Sequence, residues 1–156
     1  MKMPKAELQE FIRDPRAYMA RGYNIKKNMS AKQDRIAGWR KIAEVTIAAP
    51  RKDKAGKPGH TKRQLEDIIC AIDELEGEIL DEIQELIEIE RSIMLAIRVL
   101  LQDNTHKIIM ELRYLNNRSW REVGSRLHYT DVWVCRQHSA ALELMKQQAI
   151  ALELKK

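Results

Sequence analysis

Residues Leu112–Met145 read LRYLNNRSWREVGSRLHYTDVWVCRQHSAALELM, and this stretch decides the architecture of the C-terminal part of the chain. Ser119 followed by Glu122 is a capping-box pattern, which predicts a short helix starting at Trp120. Thr130, eleven residues after Ser119, marks a second start and predicts a helix over about 131–153. Val123 and Leu127 form the apolar side of the first helix. Val134, His138, Ala141, Leu142 and Leu144 or Met145 form the inner stripe of the second. His128-Tyr129 makes the turn, and Gly124 is small where the next element must cross closely. Upstream, Asn104 is placed to cap a helix over about 105–116. His106, Ile109, Leu112 and Leu115 share one of its faces, and Asn116-Asn117-Arg118 ends it. Three helices with a tight turn between the last two read as a helix-turn-helix.

The chemistry of such a unit follows from its geometry. The second helix of the motif can lie in a major groove, where the residues of its first turns face base edges. The outward set there is Asp131, Val132, Trp133, Cys135 and Arg136. Arg136 is placed to donate to guanine, and Asp131 to accept from a cytosine amino group. Val132 or the edge of Trp133 can meet a thymine methyl. Arg118, Ser119, Arg121, Thr130 and the helix N-terminus suit phosphates. Tyr129 and Gln137 complete the candidate DNA-binding set. Trp120 and His138 read as packing residues, and Cys135 as a small filler.

At these residues the chain resembles region 4 of bacterial sigma factors, which reads a promoter element. It is more similar to phage proteins of the RinA/ArpU-like class. The shared pattern is met by Leu112, Arg113, Tyr114, Asn116, Ser119, Trp120, Glu122, Val123, Leu127, Tyr129, Thr130, Val134, Arg136, His138, Ala141 and Leu142. The resemblance extends upstream to Trp39-Arg40 and Ala43, and to the acidic region from Leu65 to Ile93. It implies a phage or prophage transcription regulator, a sigma factor-like activator of late genes, with base contacts at Asp131, Val132 and Arg136. The family's turn glycine is His128 here. That position calls for positive φ, which costs a histidine on the order of 1 kcal/mol.

Outward from this unit the chain reads as all-α: a long antiparallel helical hairpin (coiled coil) precedes the helix-turn-helix. Residues 4–13 suit a short helix, and Asp14-Pro15 reads as an N-cap with proline in the first turn. A long helix is predicted from there to about Val45. Its seam is Tyr18, Gly22, Ile25, Met29, Lys32, Ile36, Trp39 and Ala43 in a 4-3-4-3 spacing. Residues 46–61 carry Pro, Gly and basic residues without periodicity and read as a flexible loop. Thr61 with Gln64 suggests a capping box opening a second long helix over about 62–102. Its stripe is Leu65, Ile68, Ile72, Leu75, Ile79, Ile83, Leu86, Ile93, Ile97 and Leu100, with Glu90 in one polar slot. The predicted divisions are an N-terminal segment 1–15, the hairpin 16–102 and the helix-turn-helix domain 103–156.

Charge is sorted along the chain. Residues 1–63 hold 17 Lys/Arg and 6 Asp/Glu, residues 64–90 hold 11 Asp/Glu and no Lys/Arg, and residues 91–156 hold 11 basic and 6 acidic residues. A basic helix beside an acidic one favours that pairing over self-pairing of either. The hairpin is therefore expected to close on itself or on a second copy as a homo-oligomer, and in the transcription-regulator reading it would contact host RNA polymerase.

Several classes are disfavoured. The four histidines and two cysteines form no metal-ligand or nucleophile constellation, so no catalytic residue, metal or cofactor is expected and the protein is not read as an enzyme. No apolar run reaches the ~18 residues of a membrane span. With its two cysteines far apart and no secretory signal pattern, a cytoplasmic location in a bacterial host is expected. Two other functions fit the same architecture. One is a phage small terminase subunit, which also joins a helix-turn-helix to long helices. The other is a non-DNA coiled-coil interaction protein, for which the acidic helix speaks.

Overall fold

A computed structural model describes residues 2–48 and 58–155. The described residues form seven α-helices and one π-helical turn with no strand, so the protein is all-α. The helices are α1 (Lys5–Arg13), α2 (Pro15–Met19), α3 (Arg21–Ala48), α4 (Pro58–Leu100), α5 (Asn104–Met110), α6 (Trp120–Leu127) and α7 (Asp131–Leu154), with the π-helical turn Glu111–Leu115 following α5. None of these helices is long and apolar enough to cross a membrane. The chain divides into two compact units, Ile25–Glu85 and Met1–Asn24 with Leu86–Lys156.

The unit Ile25–Glu85 is the antiparallel hairpin anticipated from the seams. Ile36 on α3 and Leu75 and Ile79 on α4 are its buried centre, with Met29, Trp39 and Ile72 packed around them. Burial of each large side chain stabilises the pair by ~1.5–3 kcal/mol before entropy is subtracted. The charges pair across the helices in antiparallel order. Arg40 Nη2 lies 3.1 Å from Glu76 Oε1, and Lys32 Nζ reaches both Glu82 and, at 3.3 Å, Glu78. Lys32 explains one departure from the expected α4 stripe. Glu82 rather than Ile83 turns inward, because the lysine in the α3 seam needs a counter-charge, and Ile83 is left exposed.

The ends of the hairpin helices differ from expectation. α3 continues through Ala48 and α4 begins at Pro58, where a proline costs nothing because the first-turn N–H has no intrahelical partner. Thr61 is therefore inside α4 rather than capping it. Of the loop predicted over 46–61, residues 49–57 lie outside the described residues.

In the second unit, α1, α2, the end of α4 and the second half of α7 share one core. Leu8, Phe11, Tyr18, Met19, Ile93, Ala96, Ile97, Leu100, Ala141, Leu142, Met145 and Ala149 are buried together. Phe11 meets Tyr18 edge-on, with ring centroids 5.3 Å apart. These compact units cut across the divisions read from the sequence, because the N-terminal segment places Leu8 and Phe11 directly in the core that holds α7. Asp14 caps α2 as anticipated, its Oδ1 accepting from the Ala17 N–H at 3.1 Å. The predicted continuous helix from Pro15 breaks at Ala20. There Arg21 Nε donates to the Tyr18 carbonyl at 3.0 Å, and its guanidinium lies 3.9 Å over the Tyr18 ring. Gly22 follows at a close approach, where a Cβ would lie 3.3 Å from Leu86 Cδ1.

Candidate nucleic-acid interface

The turn between α6 and α7 is built from local backbone chemistry. Ser119 has extended backbone angles, and its Oγ accepts from the Glu122 N–H at 3.2 Å. Glu122 does not complete the reciprocal half of a capping box with its carboxylate. Its Oε2 lies 3.4 Å from Arg118 Nη1 instead. His128 ends α6 in the left-handed region (φ 63, ψ 38), as its glycine-like position implied. The Tyr129 N–H then returns to the Gly124 carbonyl at 2.9 Å. Gly124 is required by this fold-back, since a Cβ there would sit 2.7 Å from the Tyr129 carbonyl oxygen. Thr130 starts α7, its Oγ1 accepting from the Trp133 N–H at 3.2 Å.

Below the turn lies a small separate core. Ile109, Leu112, Val123 and Val134 are buried, and Trp120, Leu127 and Trp133 pack against them. α7 thus serves two cores, with Val134 in this one and Ala141 onward in the larger. His138 sits between them, 2% exposed, and shares a 2.5 Å hydrogen bond with the Tyr114 hydroxyl. Burial, reinforced by the Arg16 and Arg113 charges, lowers the His138 pKa to about 4, so the ring is neutral at ordinary pH. Burial raises the Tyr114 hydroxyl to about 12. The Trp120 ring meets His138 at 4.6 Å and carries the Arg113 guanidinium 4.2 Å above it. Arg113 Nη1 donates to the Arg118 carbonyl at 3.1 Å, fixing the strand of chain that leads into α6.

Two upstream details differ from the reading of the sequence. The cap of α5 is Asp103 rather than Asn104. Its Oδ1 accepts from the Thr105 and His106 N–H groups at 2.7 and 3.3 Å, and those hydrogen bonds lower its pKa. The expected helix over 105–116 widens into the π turn Glu111–Leu115. The extra residue per turn brings Tyr114 inward, where Leu115 was expected, and Asn117 (φ 56) then releases the chain into the Ser119 cap.

The structure brings the ten candidate residues to the α6–turn–α7 region. Ser119, Arg121, Tyr129, Thr130, Asp131, Val132 and Arg136 are exposed, whereas Arg118, Trp133 and Gln137 are half-buried. The exposed Tyr129 ring stacks on the half-buried Trp133 ring at 3.9 Å and 20°. Asp131 Oδ1 accepts from the Val132 N–H at 2.9 Å, so its carboxylate is held at the positive end of α7. Arg118 is anchored through Glu122, and its Nε is buried without a hydrogen-bond partner. Gln137 Oε1 is engaged by His106 Nε2 at 3.0 Å.

Residues 118–137 carry Arg118, Arg121, Arg126 and Arg136 against Glu122 and Asp131, a net positive surface around the start of α7. Arg126 is exposed in the last turn of α6, and the reading of the sequence assigned it no role. Its charge next to a helix C-terminus is the only signal it carries, and most lysines and arginines carry as much. His106 likewise acts through Gln137, a partner 31 residues away that no spacing rule reveals, and Arg113 through the nearby Arg118 carbonyl and Trp120 ring. The arrangement supplies guanidinium donors, a carboxylate acceptor, capped helix N-termini and the exposed Tyr129 ring stacked on Trp133. Among the described residues no cluster of His, Cys, Asp or Glu could hold a metal ion. Comparison with family models, curated proteins and solved structures finds no match to this chain.

Proposed function

We propose that the protein is a sequence-specific, double-stranded DNA-binding transcription regulator of the phage RinA/ArpU-like, sigma region 4-like kind, acting on late genes. One observation carries this reading. The first two turns of α7 project Val132 and Arg136 to solvent from a turn held by Ser119, His128 and Thr130, above a closed apolar core. That is the disposition a recognition helix needs in a major groove. In this reading Arg136 donates to a guanine, Asp131 accepts from a cytosine, and Val132 or the edge of Trp133 meets a thymine methyl. Arg118, Arg121, Ser119 and Thr130 hold phosphates and set the register. Gln137 contributes at the edge of the helix. The hairpin of α3 and α4, basic on one helix and acidic on the other, is offered to host RNA polymerase or to a second copy.

A second reading, an interaction protein that works through its helices, is favoured by the hairpin. Leu80 and Ile69 stand exposed there on an otherwise acidic helix. Selection from a random pool of duplex DNA separates the two. The regulator reading expects an enriched motif whose affinity falls steeply with salt. Recovery of unenriched sequence, with weak binding, contradicts it.

A further inference from the structure

The second half of α7 is committed to the core on one side only. Ala141, Leu142, Met145 and Ala149 are buried there, and Gln9 Nε2 on α1 donates to Glu153 Oε1 at 3.1 Å. The opposite side is Ala140, Leu144, Gln147, Ile150, Ala151 and Leu154, all exposed. Leu144 and Leu154 stand 47% and 81% open to solvent. Positions 140, 144, 147, 151 and 154 repeat as 4-3-4-3, the spacing of a helix seam that faces another helix. Glu143 is the one charged residue on this side, in a chain that is 33% charged, and its Oε1 lies 3.5 Å from Gln147 Nε2. At 1.5 Å per residue the face is about 20 Å long.

We propose that this face is where two copies of the chain meet, with their α7 helices antiparallel and crossing at Gln147. The pattern is symmetric about that residue. Apolar side chains lie three positions before and after it, at Leu144 and Ile150, and seven before and after it, at Ala140 and Leu154. A two-fold contact demands this, because each copy presents the same patch to the other. Leu144 of one copy then meets Ile150 and Ala151 of the other, and Ala140 meets Leu154, small against large. Charge selects the direction. A parallel pair would set Arg136 against Arg136 and Glu143 against Glu143. The antiparallel pair separates both and brings Glu143 within a turn of Lys155 of the other copy. The contact also has the length that DNA requires. Arg136 precedes Gln147 by eleven residues, so the two Arg136 side chains are spaced by ~33 Å along the helix pair. Half-sites read by a two-fold helix-turn-helix dimer lie ~34–36 Å apart. The contact itself rests on the α7 face, and this last match rests on the DNA-binding reading above.

Sedimentation of the full-length protein without DNA, followed by selection from a random duplex pool, tests the proposal. The wild-type chain is expected to sediment as a concentration-dependent dimer. Leu144→Lys, at an exposed position outside every core, should raise the dimer dissociation constant by about 100-fold, since each dimer loses two leucine contacts at roughly tenfold apiece. Leu80→Lys, on the exposed side of α4, should leave the dimer intact. Gln147→Lys and Gln147→Glu should each sediment as monomers and form a mixed dimer when combined, which a contact of Gln147 with its own copy predicts. Selection with the wild-type chain should return an inverted repeat with half-sites one helical turn apart, and Leu144→Lys should bind single half-sites with unchanged base preference. A wild-type chain that stays monomeric overturns the proposal. So does a dimer that Leu80→Lys dissolves and Leu144→Lys does not, and so does a dimer that selects a direct repeat. A dimer that obeys the Gln147 pairing and selects no motif overturns the DNA-binding reading and leaves the contact standing.

Discussion

Tyr114 and His138 share a 2.5 Å hydrogen bond in the interior, joining the π turn after α5 to the middle of α7. The bond lies where the small core under the turn meets the larger core of α1, α2 and α7. Its imidazole is neutral, with a pKa lowered to about 4 by burial and by the Arg16 and Arg113 charges. Because the folded pKa lies below the unfolded value of about 6.5, the unfolded chain takes up a proton first as pH falls. The stability tied to His138 is complete above the unfolded pKa and is lost progressively down to the folded one. We expect a loss of about 2 kcal/mol between pH 7.5 and 5 from this group. Urea melts across that range check it, and His138→Phe should flatten the pH dependence. An equal slope in both proteins contradicts the assignment.

The approach of Gly124 to the turn gives a second expectation. A Cβ at this position meets the Tyr129 carbonyl oxygen at 2.7 Å and the Asp131 nitrogen at 3.3 Å, both backbone atoms that cannot swing away. Gly124→Ala should destabilise by ~1–3 kcal/mol, despite the better helix propensity of alanine. A thermal melt measures it, and a neutral or stabilising result would falsify the tight turn.

His128 provides the converse case. It adopts φ 63 without being glycine. Replacing it by glycine should stabilise by about 0.5–1 kcal/mol, and His128→Val should cost more than that, because a branched Cβ tolerates the left-handed region least. Comparing the two variants in denaturant checks both signs.

The N-terminal helix is structural rather than an appendage. Phe11 is fully buried, edge-on to Tyr18 in the core shared with α7. Phe11→Ala should cost ~3–5 kcal/mol. Its loss should also raise amide exchange along the second half of α7, where Ala141, Met145 and Ala149 face the same core. Exchange confined to α1 would show that the helix packs independently.

Much of this was legible before any coordinates, and the reasons are local. Ser119, Thr130 and Asp14 were readable as caps because a short polar side chain one step before an apolar pattern has few other uses. The left-handed His128 was implied by the resemblance, in which a glycine holds that turn position. The two hairpin seams were readable from spacing, since heptads of that length have few alternatives to pairing. What stayed hidden depended on partners distant in sequence. Glu82 meets Lys32 across the hairpin, and at the break after α2 Arg21 Nε donates to the Tyr18 carbonyl. The π turn that buries Tyr114 leaves no mark in periodicity, because one extra residue in a turn looks like noise in a short helix. At the candidate interface, the exposed members of the set were readable from helical spacing. The engagement of Gln137 by His106 was not, because it is a side-chain contact between α5 and α7 that neither helix announces.

The exposed Arg136 at the front of α7 is the residue on which the DNA-binding account turns, and equilibrium titration of a selected duplex tests it most directly. The full-length protein, Arg136→Ala and Arg121→Ala are each measured against the selected sequence and single-base variants at two salt concentrations. The account expects Arg136→Ala to weaken specific binding by ~1–3 kcal/mol and to relax preference at one base pair. It expects Arg121→Ala to weaken all sequences alike and to flatten the salt dependence. Unchanged affinity and unchanged sequence preference in Arg136→Ala would contradict it.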